Sequence, residues 1–251
     1  MASDLIEIFS AIQGEGPIVG RRQIFLRFGH CDVACDYCDT PLCHVELACF
    51  RAETHPGSRE FESFKNPASK DQIAQLVSRL DSPPGRHHSV SLTGGEPLLH
   101  ADTILALGPV FRERGLRCYL ETNGHLVDEL KRVLAVIDII GMDIKIASTA
   151  GFPPRHEENR AFLALSHAAG REVFVKIVVG EKTTRDELEA ALAVVHDVDP
   201  ELTVVLQPVT PFGGRGVPPT PAALLELQDA ALASLPNTLV IPQTHKMIKQ
   251  K

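Results

Sequence analysis

The segment Phe28-Gly29-His30-Cys31-Asp32-Val33-Ala34-Cys35-Asp36-Tyr37-Cys38 decides how this sequence is interpreted. It places three cysteines within eight residues, directly after a predicted strand at Gln23–Phe28. Three thiolates in one short loop can hold a cubane iron–sulfur cluster and leave its fourth iron open to another ligand. The alternative is a zinc site completed by His30, His44 or Cys43, which the spacing alone does not exclude.

Composition places the chain among ordinary globular proteins. Of its 251 residues, 44% are hydrophobic and 23% are charged. The 25 Lys+Arg and 32 Asp+Glu give a net charge of −7, which argues against a strongly basic nucleic-acid surface. All apolar runs are far shorter than the ~20 residues of a membrane span, and the first residues lack the pattern of a secretory signal. We therefore expect a cytoplasmic protein with no nucleic-acid or membrane partner.

Short β-branched runs alternate with amphipathic helical patterns along the rest of the chain. We expect strands at Gln23–Phe28, Ser89–Leu92, Arg117–Glu121, Ile137–Ile144, Glu172–Val179, Leu202–Gln207 and Thr238–Ile241. We expect helices at Ser69–Leu80, Thr103–Arg114, Leu126–Val136, Glu157–Ala169, Arg185–Val198 and Ala222–Leu235. This alternation predicts an α/β fold with a parallel sheet, as an incomplete barrel or an open sheet. The site should then lie at the carboxyl ends of the strands.

The chain is expected to form one domain over residues 1–251, interrupted by an irregular polar insertion at Pro41–Pro67. Cys43 and Cys49 lie in this insertion and are interpreted as thiols without a metal. A zinc site with His44 or His55 is the weaker alternative. The remaining cysteine, Cys118, is expected to be a small core residue.

A second motif, Thr93-Gly94-Gly95-Glu96-Pro97, follows the second predicted strand. Together with the CxxxCxxC spacing and the aromatic Tyr37 before the last cysteine, it resembles the radical S-adenosylmethionine enzymes. That resemblance implies an incomplete (βα)6 barrel and a [4Fe-4S] cluster held by Cys31, Cys35 and Cys38. It implies an open iron that binds S-adenosylmethionine and generates a 5′-deoxyadenosyl radical. It also implies an external one-electron donor of the flavodoxin or ferredoxin type.

The same resemblance implies which residues contact S-adenosylmethionine. They follow the cysteine loop or end the predicted strands, and they are Tyr37, Gly94, Gly95, Glu96, Glu121, Asn123, Asp143, Lys145 and Gln207. For Asp143 and Lys145, a purely structural ion pair is an equal alternative. Lys176, on the next strand, is a weaker candidate at the same edge of the sheet.

Motifs near the two ends of the chain narrow the resemblance. Ile8-Phe9-Ser10-Ala11-Ile12-Gln13-Gly14-Glu15-Gly16 precedes the cysteine loop, Asp39-Thr40 follows it, and Gln243-Thr244-His245-Lys246 lies near the last residue. In this order they closely resemble the 7-carboxy-7-deazaguanine synthases, from Glu7 to Lys246. The resemblance implies conversion of 6-carboxy-5,6,7,8-tetrahydropterin to 7-carboxy-7-deazaguanine with loss of ammonia, in queuosine biosynthesis. It also implies Mg²⁺, a regenerated S-adenosylmethionine and a homodimer.

The resemblance and the chemistry of the side chains together suggest the substrate contacts. Gln13 and Glu15 can accept from pterin N–H groups, and Arg27 can bind the substrate carboxylate. Thr40 matches the family's magnesium ligand, and His245 can donate to the substrate. The expected set is Ile12, Gln13, Gly14, Glu15, Arg27, Thr93, His245 and Lys251. The alternatives are a surface salt bridge for Arg27, a plain loop at Gln13–Glu15, and a solvated tail at His245.

Two other functions remain open at this point. A glycyl-radical activating enzyme would share the cysteine loop and the Thr93–Pro97 motif, but it would need neither Gln13–Glu15 nor Gln243–Lys246. A zinc-binding interaction module would need no catalysis at all.

Overall fold

A computed structural model describes residues 2–250 of the chain. The strands in this range are β1 (Ala2–Ser3), β2 (Leu5–Ile12), β3 (Arg22–Phe28), β4 (Cys49–Glu53), β5 (Phe61–Lys65), β6 (Ala68–Ser69), β7 (Ser89–Gly94), β8 (Arg117–Thr122), β9 (Ile139–Ile144), β10 (Glu172–Val179), β11 (Thr203–Pro208) and β12 (Thr238–Val240). The α-helices are α1 (Lys70–Leu80), α2 (Ala101–Glu113), α3 (Val127–Val133), α4 (Ala147–Ala150), α5 (His156–Ala168), α6 (Arg185–His196), α7 (Pro221–Leu232) and α8 (Thr244–Met247). Short 3-10 helices lie at Pro41–His44, Pro97–His100 and Leu134–Val136.

One large sheet organises the fold. Its strand order is β12-β11-β10-β9-β8-β7-β3-β2-β4-β5. From β3 to β12, every neighbouring pair in this order is parallel, and each crossover in this part carries a helix. The expected incomplete (βα)6 barrel of parallel strands is therefore confirmed. The carboxyl ends of its strands meet at one edge, where the sequence placed the site.

Side chains along β10 point alternately to the two faces of the sheet, and apolar residues occupy both faces. Val175, Ile177 and Val179 are fully buried in the larger core, which also contains residues of the surrounding helices. The alternate residue Phe174 packs instead in a smaller inner core with Tyr119. Apolar residues on both faces are typical of a parallel sheet covered on both sides.

The helices follow the predicted amphipathic patterns, with ends shifted by a few residues. In α1, Ile73, Leu76, Val77 and Leu80 form the buried face, and the Ser69 hydroxyl accepts a hydrogen bond from the Gln72 N–H. The predicted capping box before α6 is present, since the Thr184 hydroxyl accepts from the Glu187 N–H. Such caps satisfy backbone donors that a helix leaves free at its start.

The prediction of an irregular insertion at Pro41–Pro67 was wrong. Strands β4 and β5 form an antiparallel pair there, and β4 joins the large sheet beside β2. Phe50 is fully buried and stacks on Phe64, with 5.4 Å between ring centroids. These strands are only five residues long, and their apolar residues are separated by charged and polar ones, so the sequence signal for them is weak. Strand β2 was also not predicted as a strand.

The described helices include none with both the length and the apolar character needed to span a bilayer. Cys118 is buried in the core, as expected.

Candidate active site

A cavity lies at the carboxyl ends of the parallel strands, on the inner side of the curved sheet. Strand β3 and strands β7 to β11 each contribute a polar side chain to it. These side chains are Arg27, Thr93, Glu121, Asp143, Lys176 and Gln207. Every site residue expected from the sequence and described by the structure lines this cavity. Lys251, the remaining expected residue, lies outside the described residues. The fold thus brings the expected cofactor and substrate residues into one space.

The cysteine loop forms one wall of the cavity. Cys31, Cys35 and Cys38 are each half-buried, and all three line the space. Donation from the Cys43 thiol to either neighbour lowers the pKa of Cys38 to about 6 and that of Cys31 to about 7, against the opposing effect of burial. Burial raises the pKa of Cys35 to about 11. Because one thiol proton serves one neighbour at a time, Cys43 favours the thiolate form of Cys38 or of Cys31, and the thiolate is the form that binds metal.

The Gly94-Gly95 turn packs directly on the cysteine loop. Gly94 has a φ of +117°, which only glycine adopts readily. A Cβ atom at Gly95 would collide with the His30 carbonyl oxygen. Backbone hydrogen bonds from Gly95 N–H to the Phe28 carbonyl (3.1 Å) and from Glu96 N–H to the His30 carbonyl (2.8 Å) hold the two segments together. The two glycines therefore permit this close approach.

Glu96 joins the turn to the loop after β8. Its carboxylate accepts hydrogen bonds from the Thr122 hydroxyl (2.9 Å) and from the N–H groups of Asn123 (2.9 Å) and Leu98 (3.1 Å). Burial raises the pKa of Glu96 to about 8, although these bonds act in the opposite direction. The Asn123 amide in turn donates to the Asp32 carboxylate at 2.7 Å. This chain of bonds fixes the cysteine loop against the sheet.

A network of buried charges crosses the cavity. Lys145 donates to the Tyr37 hydroxyl and to the Asp143 carboxylate, each at 2.8 Å. Lys176 lies 3.2 Å from the same carboxylate and 2.5 Å from the Glu15 carboxylate. The register of β9 and β10 places Asp143 and Lys176 side by side. Asp143 and Lys145 thus form the ion pair considered from the sequence, within the cavity itself.

This network sets the charge of Glu15. Burial alone would raise the pKa of Glu15, but the Lys176 ammonium and a hydrogen bond from Gln243 lower it to about 2. The Gln243 amide donates to the Glu15 carboxylate at 2.6 Å. Burial would lower the pKa of Lys176, but Glu15 and Asp143 raise it well above its usual range. Glu15 is therefore an anion at neutral pH and Lys176 is a cation.

Gln13 has a complete set of bonds within the protein. Its amide nitrogen donates to Gln23 (2.9 Å) and Glu121 (3.1 Å), and its amide oxygen accepts from the N–H groups of Gly14 and Glu15. The side chain therefore shapes the turn that carries Glu15. Glu121 also accepts from the Ser91 hydroxyl at 2.6 Å, and burial raises its pKa.

Arg27 and Thr40 lie together in the lining of the cavity. The Arg27 guanidinium donates to Glu7 and to the Thr40 hydroxyl, each at 3.2 Å. The Thr40 hydroxyl donates to the Asp39 carboxylate at 3.3 Å. Arg27 thus makes a salt bridge with Glu7, but a largely buried one rather than the surface salt bridge considered from the sequence, and it also lines the cavity. Asp39 and Thr40 together present a carboxylate and a hydroxyl oxygen to the same space.

The segment around α8 closes over the Gly14 turn. The Thr244 N–H donates to the Gly14 carbonyl at 2.9 Å. A Cβ atom at Gly14 would collide with His245, so glycine is required there. His245 and Gln243 line the cavity, which places this segment at the site rather than in solvent. Lys246 lies 3.3 Å from the Asp39 carboxylate and ties the segment to the end of the cysteine loop.

Several lining residues were not identified from the sequence. Tyr119 and Phe174 form an apolar floor, with 6.1 Å between ring centroids, and a Cβ at Gly141 would collide with both. Their positions, two residues before Glu121 and Lys176 on the same strands, were the available signal, because alternate strand residues share a face. Cys43 also lines the cavity, whereas the sequence suggested a place beside the cysteine loop only through the alternative zinc site.

Two acceptors in the cavity have no partner among residues 2–250. They are Asp143 Oδ1 and Gln207 Oε1, and both are buried. Buried acceptors of this kind normally have a donor, so an unpaired one facing a cavity fits a ligand that brings donors. The ammonium, hydroxyl and amino groups of S-adenosylmethionine are such donors. The three thiols of the adjacent loop fit a cubane cluster.

Comparisons with known proteins agree with this geometry. The sequence profile of the Radical SAM superfamily matches residues 26–195. A 7-carboxy-7-deazaguanine synthase of Geobacter sulfurreducens is 44% identical over 250 residues, covering 99% of this chain and 98% of that protein. The chain belongs to the 7-carboxy-7-deazaguanine synthase family.

Further 7-carboxy-7-deazaguanine synthases and solved structures are similar to it. The synthase of Thermococcus kodakarensis is 33% identical, covering 83% of this chain and 84% of that protein. The crystal structure of QueE from Escherichia coli has a TM-score of 0.62 at 21% identity, covering 98% of this chain and 95% of that one. SuiB of Streptococcus suis bound to S-adenosylmethionine has a TM-score of 0.58 at 14% identity, covering 87% and 51%, which shows a shared fold.

Proposed function

We propose that this cavity converts 6-carboxy-5,6,7,8-tetrahydropterin to 7-carboxy-7-deazaguanine and ammonia, as a radical S-adenosylmethionine lyase. One observation carries the proposal. A single cavity contains the three-cysteine loop, the Gly94-Gly95 turn, and the Glu15 and His245 segments that distinguish this family from other radical enzymes. The 44% identity to a full-length relative of that name supports the same reaction.

Cys31, Cys35 and Cys38 would hold the [4Fe-4S] cluster, with S-adenosylmethionine between the Gly94-Gly95 turn and Asp143. When bound, the cluster and S-adenosylmethionine supply a 5′-deoxyadenosyl radical that removes hydrogen from carbon 6 of the substrate. The chain's own contribution is to hold both partners in register and to keep water away from the radical. The apolar floor of Tyr119 and Phe174 serves that second purpose.

The substrate would bind on the Glu15 side of the cavity. Glu15 is an anion and can accept only, so it suits the N–H edge of a pterin. Arg27, fixed by Glu7 and Thr40, offers a guanidinium to the substrate carboxylate. Thr40 and Asp39 supply oxygen atoms for Mg²⁺, which typically keeps several waters and takes other ligands from substrate.

Other residues act by positioning these groups. Gln13 holds the Gly14-Glu15 turn through its amide oxygen, and Lys176 keeps Glu15 charged and oriented. Burial lowers the pKa of His245, so that it is a neutral donor above the Gly14 turn. The segment that carries His245 closes the cavity next to the proposed substrate position.

The overall reaction balances without an external oxidant. The substrate loses one nitrogen and three hydrogens as ammonia while its pyrazine ring contracts, and S-adenosylmethionine is regenerated. An external one-electron donor, of the flavodoxin or ferredoxin type, is needed only to reduce the cluster. We place the enzyme in the cytoplasm as a single-domain homodimer of residues 1–251, by analogy with the family.

Anaerobic reconstitution and a product assay test this proposal. The protein should bind about four irons per chain. With carboxytetrahydropterin, S-adenosylmethionine, Mg²⁺ and a reductant, it should form 7-carboxy-7-deazaguanine and ammonia in equal amounts. A matched Glu15→Gln variant should keep the iron but lose most of the pterin turnover. An iron-loaded wild-type protein that cleaves S-adenosylmethionine yet leaves the pterin unchanged would contradict the assignment and favour an activating enzyme.

A further inference from the structure

Cys43 has no part in the proposed reaction, yet it lies among the residues to which that reaction is assigned. It is 2% exposed and lies in the 3-10 helix Pro41–His44. A hydrogen bond from its N–H to the Thr40 carbonyl (3.0 Å) begins this turn directly after the cysteine loop. The turn carries the Cys43 thiol back into contact with the thiols of Cys31 and Cys38. A buried fourth thiol therefore faces the proposed cluster ligands.

The neighbouring residue completes a set of metal ligands. The sulfur atoms of Cys38 and Cys43 and a ring nitrogen of His44 all lie within 4.8 Å of one another. Ligands about 2.3 Å (sulfur) and 2.0 Å (nitrogen) from one tetrahedral zinc ion would lie roughly 3.5–4 Å apart. Only a small contraction would bring these three atoms onto one ion. These side chains supply three of the four ligands of a tetrahedral ion, and solvent can supply the fourth because His44 is exposed.

We infer that the cluster-free protein binds a single Zn²⁺ ion through Cys38, Cys43 and His44, with the fourth position open to water. The thiols release their protons to solvent as the ion binds, and no redox change occurs. His44 is exposed, so the ion has a path from solvent to this site.

Zinc and the cluster would exclude one another, because Cys38 belongs to both sets. Cys35 belongs only to the cluster set, whereas Cys43 and His44 belong only to the zinc set. Cys43 also packs beside Gly95, where an added Cβ would lie 3.1 Å from the Cys43 Cβ. A zinc ion on Cys43 would therefore also lie next to the proposed S-adenosylmethionine site. Cluster assembly would then require the ion to leave first.

Metal titration of the full-length, cluster-free protein tests the zinc set. Iron is removed with a chelator, circular dichroism checks that the fold is retained, and Co²⁺ is added, followed by Zn²⁺ in competition. The wild type should show thiolate-to-cobalt absorption that Zn²⁺ abolishes. Cys43→Ser and His44→Gln should each weaken Zn²⁺ binding at least tenfold. Cys35→Ser and the exposed-thiol control Cys49→Ser should bind Zn²⁺ like the wild type.

Reconstitution with iron and sulfide tests whether bound zinc prevents assembly of the cluster. Cys43→Ser should assemble the cluster at the wild-type level, and Cys35→Ser should not. Preloaded Zn²⁺ should slow assembly in the wild type several-fold but not in Cys43→Ser. Wild-type zinc affinity in Cys43→Ser, or an equal loss in Cys35→Ser, would overturn the zinc site. Loss of the cluster in Cys43→Ser would instead overturn the three-cysteine assignment of the proposed function, whatever the zinc result.

Discussion

Two of the buried polar networks among residues 2–250 differ in their surroundings, since one lines the cavity and the other does not. In the first, Lys176 joins Glu15 to Asp143 across the inner side of the sheet. In the second, His87 lies between the Ser10 hydroxyl (2.9 Å) and the Asp81 carboxylate (3.0 Å). The second network has the serine–histidine–carboxylate order of a hydrolase. Ser10 and His87 are nevertheless each 7% exposed, and neither lines the cavity.

The difference shows what separates a site from a structural network. Both ring nitrogens of His87 have partners within the protein, so nothing on this ring is available to a ligand. The cavity network instead ends in Asp143 Oδ1, a buried acceptor with no partner among residues 2–250. His87 connects the end of α1 to β2, whereas the unpaired Asp143 oxygen belongs to a residue that lines the cavity. Unpaired groups that face a space, rather than a familiar constellation, therefore identify function here.

Loss of one cluster ligand should reduce activity more than any change in either network. Cys35→Ala leaves two of the three proposed ligands, so the protein should lose its iron and all cleavage of S-adenosylmethionine. Iron analysis and the release of 5′-deoxyadenosine after anaerobic reconstitution measure this. Cys49→Ala, which removes an exposed thiol, should retain both. Iron retained in the Cys35 variant would mean that another residue serves as the third ligand.

Removal of the Lys176 charge, which joins Glu15 to Asp143, should cause the next largest loss of activity. Lys176→Met leaves Glu15 and Asp143 without this cation. Loss of a charged hydrogen bond costs about 1.5–3 kcal/mol, so kcat/KM for the pterin should fall roughly 10- to 150-fold. Uncoupled cleavage of S-adenosylmethionine should change much less. The control is Lys131→Met, which removes an exposed ion pair with Asp128 and should leave both rates unchanged. Equal losses in the two reactions would show a general structural defect.

A smaller effect is expected at the segment that closes the cavity. His245→Ala removes a donor next to Gly14 but leaves the backbone bond from Thr244 to Gly14 in place. One hydrogen bond contributes about 1 kcal/mol, so the KM for the pterin should rise about fivefold. Initial-rate kinetics measure this against uncoupled cofactor cleavage, which should be nearly constant. An unchanged KM would mean that His245 does not touch the substrate.

The smallest effect should come from a change in the Ser10–His87–Asp81 network, and it should be on stability alone. Burial lowers the pKa of His87, although its hydrogen bond to Asp81 acts in the opposite direction. The unfolded chain therefore takes up a proton on this residue first, and the free energy of unfolding falls as pH drops below about 6.5. His87→Gln should make this fall shallower by up to roughly 1 kcal/mol per pH unit.

Urea unfolding at pH 7 and pH 5 measures this difference. The control is His55→Gln, an exposed residue that should keep the wild-type pH dependence. An altered pterin KM in the His87 variant at neutral pH would contradict the separation of the two networks.

The sequence predicted most of the parallel barrel, because short β-branched and apolar runs alternate with amphipathic helical patterns along the chain. Runs such as those on either side of Lys176 are typical of strands buried on both faces. Strands β4 and β5 were missed because their burial depends on partners far along the chain. Phe50, for example, is buried only once it stacks on Phe64 beside β2.

The sequence predicted which residues form the candidate site, but not the hydrogen bonds and ion pairs between them. Motifs indicated Gln13, Glu15 and Asp143, yet no local pattern showed that Gln13 uses both amide atoms within the protein. The ion pairs of Lys176 with Glu15 and Asp143 depend on strand register and on the turn after β2. The position of Cys43 depends on a contact of the same kind, since a 3-10 turn returns it to the cysteine loop. Spacing identifies candidate ligands, whereas three-dimensional neighbours decide their partners.

Deuterium at carbon 6 of the substrate offers the most direct test of the proposed radical reaction in this cavity. The reconstituted protein is supplied with deuterated carboxytetrahydropterin, S-adenosylmethionine, Mg²⁺ and a reductant, and the remaining S-adenosylmethionine is analysed by mass spectrometry. If hydrogen is removed from carbon 6 and S-adenosylmethionine is regenerated, deuterium should appear in the recovered cofactor as product forms. Product formation with no deuterium in S-adenosylmethionine or 5′-deoxyadenosine would contradict hydrogen removal by the deoxyadenosyl radical at this position.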